Sequence, residues 1–358
     1  MPQTPSAPLN PHERPPEQVK NVYKTYQKMK PKELAVDPDI IDFTRGLSEI
    51  QRASINVIEE IDPKKLNEAF RDFEGIESSS GDEITTPIRV YEHSNMPGLH
   101  ILPSLLPPST QRLLLTRLLH RDLSNPTHLT NIHTHYTLAY PPPTAFSPTP
   151  SLFTHPPTSP LPIAVPLDPS IHRPFPAHPL LTRKLRWLTL GGQYDWTAKR
   201  YPLSPPPPFP PDIAALLDSV FPETRPEAAI VNLYTPGDTL SVHRDVAEGS
   251  ERGLSSVSLG CEGVFVVGFS GEGEVGTGGT VLTFRLPSGS AVYMSGTARW
   301  AWHGVPQVVA GTCPGYLANW PAEERGKDGE DAEGGEYEAW RGWMANKRVN
   351  LNVRQMWD

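Results

Sequence analysis

The sequence predicts an α+β protein whose C-terminal part is an antiparallel β-sandwich or barrel. From Ala228 onward, short apolar runs alternate with Gly, Pro and Ser, as in many short strands joined by turns. Upstream of residue 228 helical spacing is found instead, for example in a segment that begins at Ser109 or Thr110 and runs through Leu123. The 43 prolines cluster in a few stretches, which marks those stretches as loops.

Residues 1–85 form a predicted N-terminal extension that is partly disordered. Its first 18 residues are rich in proline and polar residues. Helical segments follow over Val19–Leu34, which carries many lysines, and around Pro63–Phe73. We expect this extension to pack on, or hang from, the main body, which the sequence places at 86–358.

The first half of the main body mixes short elements with proline-rich insertions. The insertions at 141–179 and 205–211 are expected to lie outside any sheet, because proline cannot donate a ladder hydrogen bond. Besides the segment from Ser109, the predicted elements are strands Ile88–Tyr91 and Leu99–Leu102 and a helix over Asp212–Phe221.

The core of the main body spans about 228–358 and is predicted to consist of short antiparallel strands. An acidic loop at 323–338 precedes the last of them. The predicted strands are Ala229–Tyr234, Leu240–His243, Leu254–Leu259, Val264–Phe269, Thr280–Leu286, Ser290–Met294 and Val349–Met356.

Charge and cysteine content bear on partners and compartment. The net charge of −8 by itself argues against a nucleic-acid partner, but Arg173–Tyr201 holds six basic residues and one acidic residue, which is compatible with a polyanion. Two cysteines, Cys261 and Cys313, cannot build a disulfide framework, which favours a reducing compartment. Neither a secretory h-region nor a membrane-length apolar run is present. We expect the nucleus or cytoplasm, with the mitochondrion left open, and no membrane partner.

A candidate metal centre begins with His243-Arg244-Asp245 at the end of a predicted strand. Residues i and i+2 of a strand point to the same face, so an imidazole and a carboxylate project together. His303 follows later, and two histidines with one carboxylate are the facial triad of non-haem iron oxygenases. The short motif alone is weak, because such pairs are commonly ordinary surface or core residues.

The last predicted strand has an unusual polar face. Arg348, Asn350, Asn352 and Arg354 alternate with apolar residues and therefore share one side. Burying that side requires anions or hydrogen-bond partners, and the alternative is a strand with one solvated face. Arg348 and Arg354 lie roughly 20 Å apart at strand rise, so they could approach a small dicarboxylate only from opposite ends.

Asn232 and Tyr234 repeat the i, i+2 spacing at the end of an apolar strand, just before the candidate metal centre. They could supply an amide and a phenol to the same small dicarboxylate, such as a keto acid. The alternative is a strand edge that enters the Pro236-Gly237 turn.

Together these motifs resemble those of the AlkB family of nucleic-acid dioxygenases. N-x-Y, H-x-D, a distant histidine and R-x-N-x-x-x-R follow in the family's order from Asn232 to Arg354. The stretch from Trp187 to Trp196 and the ending RVNLNVRQ are most similar to the homologue-1 branch. One departure is Gly289-Ser290, where the family often has Gly-Asp, but this is not a ligand position.

The resemblance implies a double-stranded β-helix, or jelly roll, with flanking N-terminal helices and a nucleotide-recognition lid. It implies Fe(2+), 2-oxoglutarate and O2 as cofactor and cosubstrates, with His243, Asp245 and His303 as the iron ligands. For 2-oxoglutarate it implies Arg348 at the distal carboxylate, Arg354 near the metal end, and hydrogen bonds from Asn232, Tyr234 and Asn350.

Aromatic residues interleaved with cations form a candidate substrate site. Trp187, Tyr194 and Trp196 lie among arginines and lysines, a composition that suits an unpaired base and its phosphates. The alternative is that the tryptophans are core residues. Arg299 is expected to face the same cleft.

The function that the resemblance implies is oxidative demethylation of methylated bases in nucleic acid, in tRNA (1-methyladenine-type) or DNA, by a monomer. One alternative is a protein or histone demethylase or hydroxylase with the same iron core. Another is a catalytically inactive nucleic-acid-binding module, against which the intact triad and Arg348 argue.

Overall fold

The computed structural model describes residues 9–10, 12–75, 82–144, 150–195, 200–202, 204–269, 279–322 and 335–357. Over these residues the protein mixes helices with sheets that are antiparallel except for one short parallel pair, as the α+β prediction requires. The helices are α1 Glu17–Lys28, α2 Pro31–Leu34, α3 Glu49–Ser54, α4 Pro63–Glu74, α5 Pro108–Thr116, α6 Ala177–Pro179, α7 Pro211–Val220 and α8 Gly315–Ala318.

Strands carry most of the main body. They are β1 Ile40–Ile41, β2 Ile55–Ile61, β3 Ile88–His93, β4 Leu99–Leu102, β5 Tyr136–Leu138, β6 Pro162–Pro166, β7 Phe175–Pro176, β8 Trp187–Gly191, β9 Ala228–Tyr234, β10 Leu240–His243, β11 Leu254–Gly260, β12 Gly263–Gly268, β13 Val281–Leu286, β14 Ala291–Met294, β15 Trp302–Val308 and β16 Arg348–Arg354.

Two sheets form the body. The major sheet has the order β2-β3-β4-β14-β11-β16-β9-β8, and the minor sheet has the order β1-β13-β12-β15-β10. Apolar side chains from the facing sides of both sheets meet in one cluster, which includes Val292 and Met294 from the major sheet and Phe265 and Val305 from the minor sheet. This burial stabilises the packing of one sheet on the other.

Each sheet is covered on its outer side by apolar residues of helices. The alternate residues Val349, Leu351 and Val353 of β16 point into the larger core, together with residues of α4, α5 and α7. On the minor sheet, Val19 and Tyr26 of α1 pack against the strand residues there. The polar residues of β16 therefore face the space between the sheets.

The predicted N-terminal extension is part of these sheets. Ile40 of β1 pairs with Thr283 in the minor sheet, and β2 pairs along its length with β3 in the major sheet. The described residues before 85 thus contribute one strand to each sheet. The helical spacing did locate α1 and α4, whereas β2 was not predicted.

One prediction about the proline-rich insertion at 141–179 is wrong. Its β6 and β7 form a small antiparallel sheet with β5, although the insertion was expected outside any sheet. The prolines of β6 stand at its two ends, and its interior carbonyl groups still accept, as when Ala139 N donates to Ile163 O at 2.7 Å. Proline removes a donor but leaves the acceptor, so a short strand remains possible. The second insertion, over the described residues 204–210, contains no strand.

Strand β15 was also missed, because Gly304 and Pro306 interrupt its apolar pattern. The glycine has a structural reason, since a Cβ at this position would lie 2.8 Å from the carbonyl oxygen of Leu240 on β10. The close approach of β10 and β15 therefore depends on Gly304. Among the described residues, the helices are too short or too polar to cross a bilayer.

Candidate active site

The three candidate metal ligands converge at one edge of the minor sheet. His243 is the last residue of β10 and pairs directly with His303 of β15, while Asp245 follows two residues after His243. The Nε2 atoms of both histidines lie 3.9 Å from an Asp245 carboxylate oxygen. One ligand atom from each residue lies within 4.8 Å of the others, close enough for a single ion.

Hydrogen bonds orient the two imidazoles toward this centre. His243 Nδ1 lies 2.9 Å from the carbonyl oxygen of Ser241, and His303 Nδ1 lies 3.0 Å from that of Ala301. A carbonyl can only accept, so each Nδ1 is the donor and each Nε2 keeps its lone pair for a metal. Burial, followed by the charge of His243, lowers the pKa of His303 to about 4, so this imidazole is neutral at pH 7.

A buried cluster of charges holds Asp245 in place. The Glu248 side chain is 0% exposed and bridges Arg354, at 2.9 Å, and Arg299, at 3.0 Å. Arg299 also donates to the backbone carbonyl of Asp245 at 2.7 Å. Burial alone would raise the pKa of Asp245, but the charge of Arg354 and then those of the two histidines hold it below its usual range. The carboxylate is therefore ionised and fixed.

Two of these residues were misread or missed at the sequence level. Arg299 was expected to face the substrate cleft, but it is 1% exposed and is committed to Glu248 and to backbone carbonyls behind Asp245. Glu248 was not singled out, since a glutamate in a polar loop is usually solvated. Only the position three residues after Asp245 could have drawn attention to it.

Arg348 marks the opposite end of the site. It is 1% exposed, and among the described residues its Nε and Nη1 have no hydrogen-bond partner, while Nη2 donates to Ser258 Oγ at 3.0 Å. Burial lowers the pKa of Arg348 to about 10, so the group still carries its charge at pH 7. A buried guanidinium with unpaired N–H groups fits a carboxylate, which its planar fork would bind.

Neighbouring strands place the other predicted keto-acid residues around Arg348. Tyr234 pairs with Arg348, and Asn232 pairs with Asn350, so each pair projects to one face. The buried Tyr234 hydroxyl has no partner among the described residues, and burial raises its pKa to about 12. The Asn350 amide donates to Ser256 Oγ at 3.0 Å and to the Val257 carbonyl at 2.8 Å.

A single pocket of about 480 Å³ joins the two ends between the sheets. This volume lies within the range of small-ligand sites. The remainder of its wall is largely apolar and includes Phe265, Val292 and Met294. The polar residues on its wall include Asn232, His243, Asp245, His303, Arg348, Asn350 and Arg354.

The predicted substrate residues are placed differently from one another. Tyr194 lines the pocket, and its ring meets that of Tyr201 edge-on at 5.2 Å. Trp187 is half-buried on β8 opposite Asn232, but it is not part of the pocket wall. Trp196 lies outside the described residues. Tyr201, which the sequence did not single out, is half-buried beside Tyr194.

The donor set fits a mononuclear iron site. Two neutral imidazole nitrogens and one carboxylate are the ligands of non-haem Fe(II) oxygenases, and the free positions of such a centre take a keto acid and dioxygen. The unpaired N–H groups of Arg348 fit the far carboxylate of a dicarboxylic keto acid. Fold and site thus define a non-haem iron oxygenase.

Comparison with known proteins identifies the family. Residues 159–354 match the family model described as the 2OG-Fe(II) oxygenase superfamily. A relative from Pyricularia oryzae, named N6-methyladenosine RNA demethylase ALKB1, is 43% identical over 97% of this chain and 98% of its own. Another from Cryphonectria parasitica, named N6-methyladenosine RNA demethylase ALKBH, is 49% identical over 63% of this chain and 100% of its own. The tRNA demethylase abh1 of Schizosaccharomyces pombe is 38% identical over 51% of this chain and 57% of its own.

The chain therefore belongs to the 2OG-Fe(II) oxygenase superfamily, within its AlkB-like, homologue-1 branch. This confirms the family that the motif order from Asn232 to Arg354 predicted. Family membership implies iron and 2-oxoglutarate, which agrees with the chemistry of the donor set.

Proposed function

We propose that the protein demethylates methylated bases in nucleic acid, with methylated adenine in RNA, including tRNA, as its main substrate and DNA as a further one. One observation carries the proposal: one pocket holds a three-ligand centre at one end and, at the other, an arginine with two nitrogens that lack partners among the described residues. The names of the relatives, which include RNA and tRNA demethylases, support the substrate class.

In this proposal His243, Asp245 and His303 hold iron, and Arg348 binds the distal carboxylate of 2-oxoglutarate beside the Tyr234 hydroxyl. Fe(II) with 2-oxoglutarate and O2, when bound, would supply oxidation of an N-methyl group to a hydroxymethyl group, with 2-oxoglutarate converted to succinate and CO2. Cleavage of the C–N bond then releases formaldehyde and leaves N–H on the base. Arg354 steadies the ionised Asp245 from a distance of 3.5 Å and lies at the metal end of the pocket.

The protein chain itself positions the reacting groups and surrounds them with a largely apolar wall. Apolar side chains from both sheets line much of the space around the centre, which lowers the local dielectric and strengthens electrostatic contacts there. Tyr194, on the pocket wall, offers its ring to the target base. Asn232 and Asn350 complete the polar wall between the two ends, within reach of a bound keto acid.

Finer features of the family belong to the same proposal. We infer that the two facing sheets form the double-stranded β-helix and that the segment around Tyr194 supplies the nucleotide-recognition lid. Contact of Tyr194 with the pocket supports the second point. A monomer, active in the nucleus or cytoplasm with the mitochondrion left open, completes the proposed description.

The test is succinate and formaldehyde release by the purified protein with Fe(II), 2-oxoglutarate and ascorbate. RNA carrying N6-methyladenosine, tRNA carrying 1-methyladenine, methylated DNA and unmethylated RNA are compared. Formaldehyde in step with succinate, only with a methylated nucleic acid, supports the proposal. Formaldehyde from a methyl-lysine peptide and none from any nucleic acid would assign a protein demethylase instead.

Asp245→Ala is the matched inactive variant. It should abolish turnover while the protein stays folded, since Asp245 belongs to the candidate centre and lies outside the apolar cores. Succinate production at the wild-type rate in this variant would remove Asp245 from the centre. Neither product from wild-type protein that binds iron would favour a non-catalytic binding module.

A further inference from the structure

We propose that the outer face of α1 and the turn after it bind the phosphate backbone of RNA whose target base enters the pocket. The surface consists of Arg14, Lys24, Lys28, Lys30 and Lys32, here called the α1 cation strip. The inference rests on the proposed function, which it extends by adding a second RNA contact on the N-terminal segment, remote from the keto-acid site.

The strip carries a concentrated positive charge in a protein whose net charge is −8. Its five side chains are exposed, and within the described part of the chain none has a carboxylate at ion-pair distance. Positive charge that is free of internal partners attracts a polyanion.

The acidic residues of the same segment are already engaged. Glu13 pairs with Arg244, Glu17 lies 2.5 Å from the ammonium group of Lys20, and the Glu33 carboxylate accepts the backbone N–H of Lys30 at 3.0 Å. Arg244 and Lys20 thus neutralise Glu13 and Glu17, while Glu33 keeps its charge and is outnumbered by the five cations of the strip.

Helix geometry places two of these cations on one side of α1, while Arg14 precedes the helix and Lys30 and Lys32 follow it. Val19, Tyr23 and Tyr26 are buried against the minor sheet, which fixes the inner face of α1. Lys24 and Lys28 are four residues apart, so they stand one turn apart on a solvent face. A helix of 12 residues is about 18 Å long, enough to run past several phosphates of one strand.

The strip is fixed to the strands that carry the candidate ligands. A Cβ at Gly304, next to His303, would lie 3.2 Å from the Tyr23 ring, so α1 rests on that strand. The Gln307 side chain of the same strand donates to the Met29 carbonyl at 2.7 Å, at the end of α1.

The other end of the segment reaches the mouth of the pocket. Glu13 pairs with Arg244, which stands between two candidate ligands, lines the pocket and lies over the Trp302 ring at 4.4 Å. Arg14, the first residue of the strip, directly follows Glu13 in the sequence. One RNA strand with a base in the pocket therefore passes the start of the strip. This continuity favours RNA over an acidic protein as the occupant.

The experiment compares a triple variant, K24Q/K28Q/K32Q, with a charge-matched control, K64Q/K65Q/R71Q, whose three cations are exposed on α4. Binding of fluorescently labelled, single-stranded RNA that carries N6-methyladenosine is measured by anisotropy at several NaCl concentrations. Each lost phosphate contact should lower the slope of log Kd against log salt by about 0.7. We expect a drop of about 2 in the triple variant, at least tenfold weaker binding at low salt, and no change in the control.

A conservative variant and a small substrate separate charge from folding. K24R/K28R/K32R should bind RNA like the wild type, since the positive charge remains. Formaldehyde release from a methylated mononucleoside should be the same in the wild type and the triple variant, because the strip lies outside the pocket wall.

Three outcomes would overturn the proposal: equal RNA affinity and salt slope in the wild type and the triple variant, equal loss in the control variant, or equal competition by polyglutamate and unlabelled RNA. The two proposals fail separately. If the wild type released no formaldehyde yet bound RNA through the strip, the demethylase proposal would fall and the strip would stand.

Discussion

Arg348→Met separates a functional arginine from a structural one, because the two roles predict opposite signs for stability. In the folded protein Arg348 is almost fully buried, with two nitrogen atoms that lack partners among the described residues. An unsatisfied buried donor costs about 1–3 kcal/mol, whereas an apolar side chain of similar shape costs nothing of this kind. Loss of the hydrogen bond from Arg348 to Ser258 costs about 1 kcal/mol and offsets part of the stability that the substitution gains.

For two such donors, less the lost hydrogen bond, the variant should be more stable to unfolding without ligand by about 1–5 kcal/mol, and Tm should rise by several degrees. Its affinity for 2-oxoglutarate should fall at the same time. Two hydrogen bonds from a guanidinium to a carboxylate contribute about 3 kcal/mol together, which corresponds to roughly a 100-fold increase in Kd. Metal affinity should change little, because Arg348 lies at the far end of the pocket from Asp245.

The assay is calorimetric titration of 2-oxoglutarate into anaerobic, Mn(II)-loaded protein, with thermal unfolding of the metal-free protein beside it. Arg89→Met is the control, since Arg89 is an exposed residue whose ion pair with Glu60 lies on the edge region of the major sheet. It should alter neither quantity much. An unchanged Kd for 2-oxoglutarate in Arg348→Met would refute the assignment, and a Tm lower by several degrees would show that the arginine is structural.

Two further changes test the surroundings of the site, and a third tests His120, a half-buried histidine that packs against Phe153 and Trp320 in the larger core. Gly263→Ala would place a Cβ against the Arg348 guanidinium, so 2-oxoglutarate affinity should fall while Mn(II) affinity stays unchanged. A loss of Mn(II) affinity with unchanged 2-oxoglutarate affinity would contradict this account. Glu248→Gln removes the charge between two arginines behind Asp245 and should weaken Mn(II) binding roughly 10–100-fold in titrations, and wild-type affinity would show that the cluster does not position the ligand. Burial lowers the pKa of His120 to about 4, so as the pH falls the unfolded state takes up the proton first. Stability should therefore be lost as the pH falls from about 6.5 to 4. His120→Asn should flatten that part of the plot of Tm against pH, and an equally steep plot rules His120 out as the cause.

Local periodicity was sufficient for several elements of the fold. The predicted bounds of Leu99–Leu102 and Leu240–His243 agree with β4 and β10, and the alternation in β16 placed Arg348 and Arg354 on one face. These features depend on the two-residue repeat of a strand, which is a property of neighbouring residues.

The pairing of distant segments was beyond such reasoning. Helical spacing located α1, but no local pattern indicated that β1 and β2 join the two sheets or that the prolines of β6 cap a strand. Hydrogen bonds between strands far apart in sequence decide these points, and the sequence of one strand does not identify the strand with which it pairs.

For the site, the sequence by itself determined the chemistry and the tertiary structure determined the arrangement. The residue types His243, Asp245, His303 and Arg348, in their order along the chain, resemble the AlkB motifs, and through that resemblance they predicted an iron and keto-acid oxygenase. Only the fold placed His303 opposite His243, and only the fold buried Glu248 where it holds Arg299 and Arg354 behind the carboxylate. A charged side chain has the same sequence signature on a surface and in a core, and its burial is set by everything that packs around it.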